Sequence, residues 1–222
     1  MEQIAQHVLV VGGTKGIGKG VVDALGARAV VWSREHGVDA TDEASVANAA
    51  DRLLRERGAP WGLVHTIGDF HEAPLLATSP RDFAALVQSN LTTTMHVVQA
   101  IVPAMTAAGR GRVVLFAAAG AGKDRAMLRA PAYFAIKAAL VHMARSLAAE
   151  CAKFGVTVNV VSPGLIEHPH SHQESQRRML ARVPAGRLGR VGDIVSLVEW
   201  LLREESSYMT GEDLTVDGGL QL

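Results

Sequence analysis

Short runs of almost unbroken Val, Leu and Ile recur along the chain and alternate with stretches whose apolar residues fall at helical spacing. The runs cover residues 7–11, 29–32, 62–67, 113–116, 156–161 and 214–216. A strand that is apolar at every position has no wet face, so both of its faces must be covered. Strands of that kind, separated by helices, are joined by crossovers. This predicts a doubly wound, parallel α/β sheet with helices on both faces. Helices are predicted over residues 17–25, 44–57, 80–105, 131–154 and 193–203. The run 37–40 is too short to stand alone. Taken as a third strand, it follows Trp32 after residues 33–37 only, so the helix between strands two and three is missing.

The chain has 222 residues, enough for one sizeable core and too few for two, which predicts a single domain over 1–222. Lys+Arg and Asp+Glu number 22 each. That balance gives no reason to expect nucleic acid or an anionic membrane as a partner. A lone cysteine, Cys151, excludes an intrachain disulfide, fits a reducing compartment and reads as a packed helical residue. No basic leader precedes the first apolar run, and no apolar stretch approaches the ~20 residues of a membrane span. The expectation is a cytoplasmic protein.

The first run leads directly into Gly12-Gly13-Thr14-Lys15-Gly16-Ile17-Gly18, which opens the first helix. Glycines there allow a tight turn and let the backbone approach a pyrophosphate at a helix N-terminus. The spacing is G-x-x-x-G-x-G, and it makes Gly12, Thr14, Lys15, Gly16, Ile17 and Gly18 candidate dinucleotide contacts. In dinucleotide folds an acid at the end of the second strand holds a ribose 2′-hydroxyl, whereas a base suits a 2′-phosphate. That position is Ser33, followed by Arg34, with Lys15 in the glycine turn. No carboxylate is foreseen there, and two cations can hold a phosphate, which favours NADP(H).

A second stretch carries reaction chemistry. Tyr133 and Lys137 stand four residues apart and share one side of a helix. Ile136, Leu140, Met143 and Leu147 give that helix a face to bury. A free phenol, with a pKa of about 10, is a poor proton donor or acceptor near neutrality. An ammonium alongside favours the phenolate, so the pair predicts a tyrosine with a lowered pKa. Asn90 falls on a stripe with Phe83, Val87 and Val97, where a polar side chain needs partners.

In chain order, the glycine turn, Asn90, Tyr133 with Lys137, Ser162-Pro163-Gly164, Thr210-Gly211 and Val216-Asp217-Gly218-Gly219 resemble the short-chain dehydrogenase/reductase family over nearly the full length. Residues 183–189 and the tail resemble its 3-oxoacyl-carrier-protein reductase branch. The resemblance implies a Rossmann-like, NADPH-dependent reductase of a small-molecule ketone of the 3-oxoacyl or polyketide type, free or bound to a carrier protein. It implies that Tyr133 is the acid in carbonyl reduction and the base in alcohol oxidation. Lys137 would bind the nicotinamide ribose, and Asn90 would hold a water that links to the lysine. Asp39-Ala40-Thr41-Asp42 matches a stretch that contacts adenine, making Asp39 and Ala40 candidates, while Thr41 or Asp42 suits a helix cap. Thr66, Gly68, Pro163, Gly164 and Ile166, at or after strand ends, complete the cofactor set. The family assembles as dimers or tetramers through two long helices, here 80–105 and 131–154. Residues 167–184 match its substrate lid, and Asp69, His71 and His168 are candidate substrate contacts. His168, His170 and His172 alternate in this polar segment and read as a solvated loop, not a metal site.

Three departures stand against this pattern. The family carries a serine just after the strand preceding the tyrosine helix; here Ala118 stands there, and no Ser or Thr occurs from 107 to 145. Losing such a donor costs on the order of 10²–10³ in rate. The usual Asn-Asn-Ala-Gly is His65-Thr66-Ile67-Gly68, and the helix between strands two and three is absent, which opens the adenine side. The first and third resemble quinonoid dihydropteridine reductases, which keep Tyr and Lys with alanine in place of serine. The first also admits a non-catalytic NADP(H)-binding partner or sensor.

Overall fold

The computed structural model describes residues 6–123, 126–167 and 180–222. Six strands form one parallel sheet: β1 (Val8–Val11), β2 (Ala29–Trp32), β3 (Gly62–His65), β4 (Gly111–Phe116), β5 (Val156–Pro163) and β6 (Asp213–Val216). Their order is β2-β1-β3-β4-β5-β6. Val8 pairs with Ala29 on one side and Gly62 on the other. After β2 the chain returns past β1 to build the rest of the sheet. The strand order therefore reverses between β1 and β3, the place where a doubly wound sheet opens a crevice at its carboxyl edge.

Helices α1 (Gly16–Leu25), α2 (Glu43–Arg57), α3 (Pro80–Val87), α4 (Thr93–Ala107), α5 (Pro131–Cys151) and α6 (Val191–Leu201) cover both faces. Alternation along the strands sorts the core into two layers. Leu9, Val11, Leu63, Val113 and Val158 point towards α2, α4 and α5. Val8, Val10, Val64, Val114 and Val161 pack with Val21 of α1 and Ile194 and Val198 of α6. Every residue of β1, β3 and β4 is buried, as strands with no wet face require, but only β1 is apolar throughout: β3 buries His65 and β4 buries Arg112. Cys151 is buried as expected. Among the described residues no helix is long and apolar enough to cross a membrane.

Two local expectations are corrected. Residues 38–40 join no sheet. Their backbone groups are taken elsewhere: Val38 N–H donates to the Ser33 carbonyl, Asp39 N–H to Ser45 Oγ, and the Ala40 carbonyl meets His96 Nδ1 at 3.1 Å. Val38 and Ala40 still contribute buried side chains to the core. The stretch predicted as one helix over 80–105 is interrupted by a π-helical turn, Gln88–Thr92. The wider turn shifts the helical phase. Asn90 is fully buried while Phe83 is 45 % exposed, so the two do not share a face. On α5 the buried stripe is Ile136, Leu140, Val141, Ala144 and Ala148, with Met143 and Leu147 only half-buried.

Ile101 of α4 is fully buried against the sheet. Ile101→Ala should destabilise the fold by about 2–5 kcal/mol through lost burial and the cavity left behind. Urea unfolding of the two proteins measures this, and a near-zero difference would contradict the packing.

Candidate active site

A cleft of about 1240 Å³ runs along the carboxyl edge of the sheet. Its floor is the glycine turn after β1. Gly12 has φ +93°, and a Cβ there would lie 2.8 Å from Thr66 Oγ1 and 2.9 Å from the Ile67 side chain. A Cβ on Gly18 would lie 2.3 Å from the Gly12 carbonyl oxygen. The turn is thus closed against β3, while Gly16 at φ +55° faces open space. Helix α1 begins with no acidic residue in its first turn and no side chain capping its amides. An uncapped positive helix end, with Lys15 as N-cap, beside glycines that leave the backbone bare, fits an anionic diphosphate. Gly12, Thr14, Lys15, Gly16, Ile17 and Gly18 all line the cleft.

The same cleft gathers Ser33, Arg34, Asp39 and Ala40 at one end and Thr66, Gly68, Pro163, Gly164 and Ile166 further along. Glu35 also lines the first end, so a carboxylate is present where none was foreseen. Asp39 accepts from the Thr41 N–H at 2.9 Å and the Thr41 hydroxyl at 2.7 Å, bonds that hold its carboxyl below the usual range. Asp42, not Thr41, caps α2, accepting from the Ala44 N–H. The Thr66 hydroxyl is turned inward, towards the Val11 carbonyl at 3.0 Å and the Gly12 carbonyl at 3.2 Å. It ties the end of β3 to the end of β1. Gly164 donates its N–H to the Val216 carbonyl, and Ile166 bridges to Gly189.

Tyr133 and Lys137 open into this cleft from α5. The Lys137 ammonium is nearly buried and donates to the Phe116 carbonyl at 2.8 Å. It lies 5.8 Å from the centroid of the Tyr133 ring. Burial lowers its pKa to about 8, which leaves it mostly charged at neutral pH. The expected lowering of the tyrosine is not seen. Burial pushes Tyr133 up to about 12. Its ring is enclosed edge-on by Phe70 and Phe134, with centroids at 5.0 and 5.4 Å. The ammonium is engaged by a backbone carbonyl, and desolvation of the phenolate outweighs its field.

Asn90 does not line the cleft but lies directly beneath it. Its amide nitrogen is within reach of the Leu86 and Asp69 carbonyls at 3.0 and 3.1 Å and of Ser89 Oγ at 3.1 Å. Its Oδ1 is buried without a protein partner. A Cβ on Gly68 would lie 2.4 Å from that oxygen and 3.0 Å from Lys137 Nζ. Amide oxygen and ammonium therefore converge on a space that glycine alone keeps clear.

Ala118 is half-buried on the cleft wall, in a loop that continues beside β5 through Ala117 N–H to the Val161 carbonyl and Ala119 N–H to the Pro163 carbonyl. Asp69 lines the cleft, but His71 does not; its Nε2 lies 3.9 Å from Asp82. Of the segment 167–184, Arg182 reaches the cleft, and His168, His170 and His172 fall outside the described residues. Sequence patterns gave no sign of Phe70, or of the exposed Glu72–Arg129 ion pair at 2.5 Å, which joins the loops after β3 and β4. They also missed the state of His65. It is fully buried, and burial together with the charge of Lys137 lowers its pKa to about 3.

The chain belongs to the short-chain dehydrogenase/reductase family, whose members are oxidoreductases that use NAD(P)(H). The family described as Enoyl-(Acyl carrier protein) reductase matches residues 9–221. Among curated relatives, the 3-oxoacyl-[acyl-carrier-protein] reductase of Escherichia coli is 31 % identical over 96 % of each chain. A tropinone reductase homolog of Arabidopsis thaliana is 31 % identical over 97 % of this chain and 91 % of its own. The sorbitol dehydrogenase of Cereibacter sphaeroides is 28 % identical over 95 % of each.

His65 yields a test of the electrostatics. Its folded pKa lies below the unfolded value of about 6.5. Between those values the unfolded chain binds a proton that the folded one does not. This contribution to stability is therefore complete above about pH 6.5 and declines below it by about 1.4 kcal/mol per pH unit. His65→Gln should flatten the fall in urea midpoint between pH 6.5 and 5; parallel profiles would show that the imidazole does not titrate as described.

Proposed function

We propose that this protein is an NADPH-dependent reductase of a ketone, of the 3-oxoacyl or polyketide type. What carries the proposal is the convergence of Tyr133, Lys137 and the glycine turn on one cleft. The 3-oxoacyl-[acyl-carrier-protein] reductases among its relatives support the substrate class, with the substrate free or borne on a carrier protein. Bound NADPH supplies the hydride. Tyr133, kept protonated by its raised pKa, holds the proton that a reduced carbonyl oxygen takes up. Lys137 stays a fixed ammonium beneath the ring, and Asn90 Oδ1 offers an acceptor to a proton path behind it. Lys15 and Arg34 supply the charge that favours a 2′-phosphate. Assembly as a homodimer or homotetramer through the helical stretches 80–105 and 131–154 accompanies this reading.

Ala118 favours two further readings. The reduction of an electron-poor quinonoid dihydropteridine asks for less polarisation of an oxygen and tolerates the missing hydroxyl. A binding partner or sensor that holds NADP(H) without turnover asks for none. Rates of NADPH oxidation with a 3-oxoacyl thioester, with quinonoid dihydropteridine and with neither separate the three.

Tyr133→Phe should lower ketone-dependent NADPH oxidation by about 10²–10⁴-fold, the range of a general acid, while the Kd for NADPH stays nearly the same. A variant that reduces substrate at the parent's rate would overturn the role of Tyr133. Arg34→Ala should weaken NADPH binding about tenfold while changing NADH little, because one charge-assisted contact to phosphate is lost. Calorimetry with both cofactors reads this, and equal losses would refute the phosphate clamp.

A further inference from the structure

Ser33 lies where β2 ends, in extended backbone, as the N-cap of the short 3₁₀ turn Arg34–His36. Its hydroxyl accepts from the His36 backbone N–H at 3.3 Å, and Oγ lies 2.8 Å from His36 Nδ1. Ser33 lines the cleft; His36 stands behind it. Building on the reading of NADPH as cofactor, we propose that His36 is a positioning residue for the 2′-phosphate. It sets whether Ser33 can donate a hydrogen bond into the cleft.

The argument is a count of hydrogens. A hydroxyl has one hydrogen and two lone pairs. The backbone amide takes one lone pair. If Nδ1 is bare, Ser33 gives its only hydrogen to the imidazole and presents a lone pair to the cleft. If Nδ1 carries a hydrogen, the imidazole donates instead, both lone pairs are engaged, and the hydroxyl hydrogen is free. Only the second arrangement suits a phosphate, which accepts and does not donate. A ribose 2′-hydroxyl both donates and accepts, so NADH is served by either. The imidazolium always carries the Nδ1 hydrogen and adds positive charge. The same turn carries Arg34 and Glu35, and the lining of the cleft also includes Lys15 and Asp39, which is held by Thr41.

Calorimetry on the full chain with NADPH and NADH tests the proposal. His36→Ala should weaken NADPH about three- to tenfold and leave NADH within about twofold, because the Ser33 hydrogen, though unclaimed, is no longer held towards the cleft. NADH affinity also serves as the check on folding. His36→Asn, whose amide can donate from the Nδ1 position, should restore most of the loss. In a Ser33→Ala background, His36→Ala should change NADPH affinity no further. Equal loss of both cofactors, unchanged preference in His36→Ala, or a full effect persisting without Ser33 would overturn the proposal alone. Equal affinity of the unaltered protein for both cofactors would refute the NADPH reading, and the proposal with it.

Discussion

The structure depends on what β1 requires. All four of its residues are buried, and it is paired on both sides, to β2 and to β3. A strand with no exposed face must be covered twice, so α1 lies on one side of the sheet and α2 on the other. The two connections leave in opposite directions and part above the end of β1. The crevice is therefore a product of topology, present before any polar side chain is placed in it. Gly12 and Gly18 are then dictated by the close approach of the glycine turn to Thr66.

The polar groups under that crevice are governed by burial more than by pairing. Lys137 has a carbonyl as its hydrogen-bond acceptor and no carboxylate partner among the causes that shift it. Tyr133 is raised and Lys137 lowered for one reason, loss of water around the charged form. His65 is held neutral by the same desolvation, reinforced by the ammonium. The result near neutral pH is a protonated phenol above a retained ammonium. That is the form a reductase needs, reached without the acidified tyrosine that a four-residue spacing implies.

Most of the fold was legible because period and composition carry it. Runs of Val and Leu gave the strands, and glycine turns and helical stripes gave the connections. Residues 38–40 read as a strand because apolar pattern does not register the polar bonds that draw them out of the sheet, to Ser33 and Ser45 nearby and to His96 far along the chain. Asn90 was found as a polar residue that needs partners, yet its phase was misjudged, since a π turn leaves no mark in apolar periodicity. Within the site, residues fixed by backbone constraint, such as Gly12, Gly16 and Gly18, were readable. Those fixed by encounter across the fold, such as Phe70 against Tyr133, were not.

The Glu72–Arg129 pair carries a consequence of its own. It fastens the two loops that border the phenol, and both side chains are about half exposed. Attraction between such groups weakens as dissolved ions accumulate, within a screening distance of about 8 Å at physiological ionic strength. The hold of these two loops on each other is thereby coupled to the saltiness of the medium, while the hydrogen bond of the nearly buried Lys137 beneath them is screened much less.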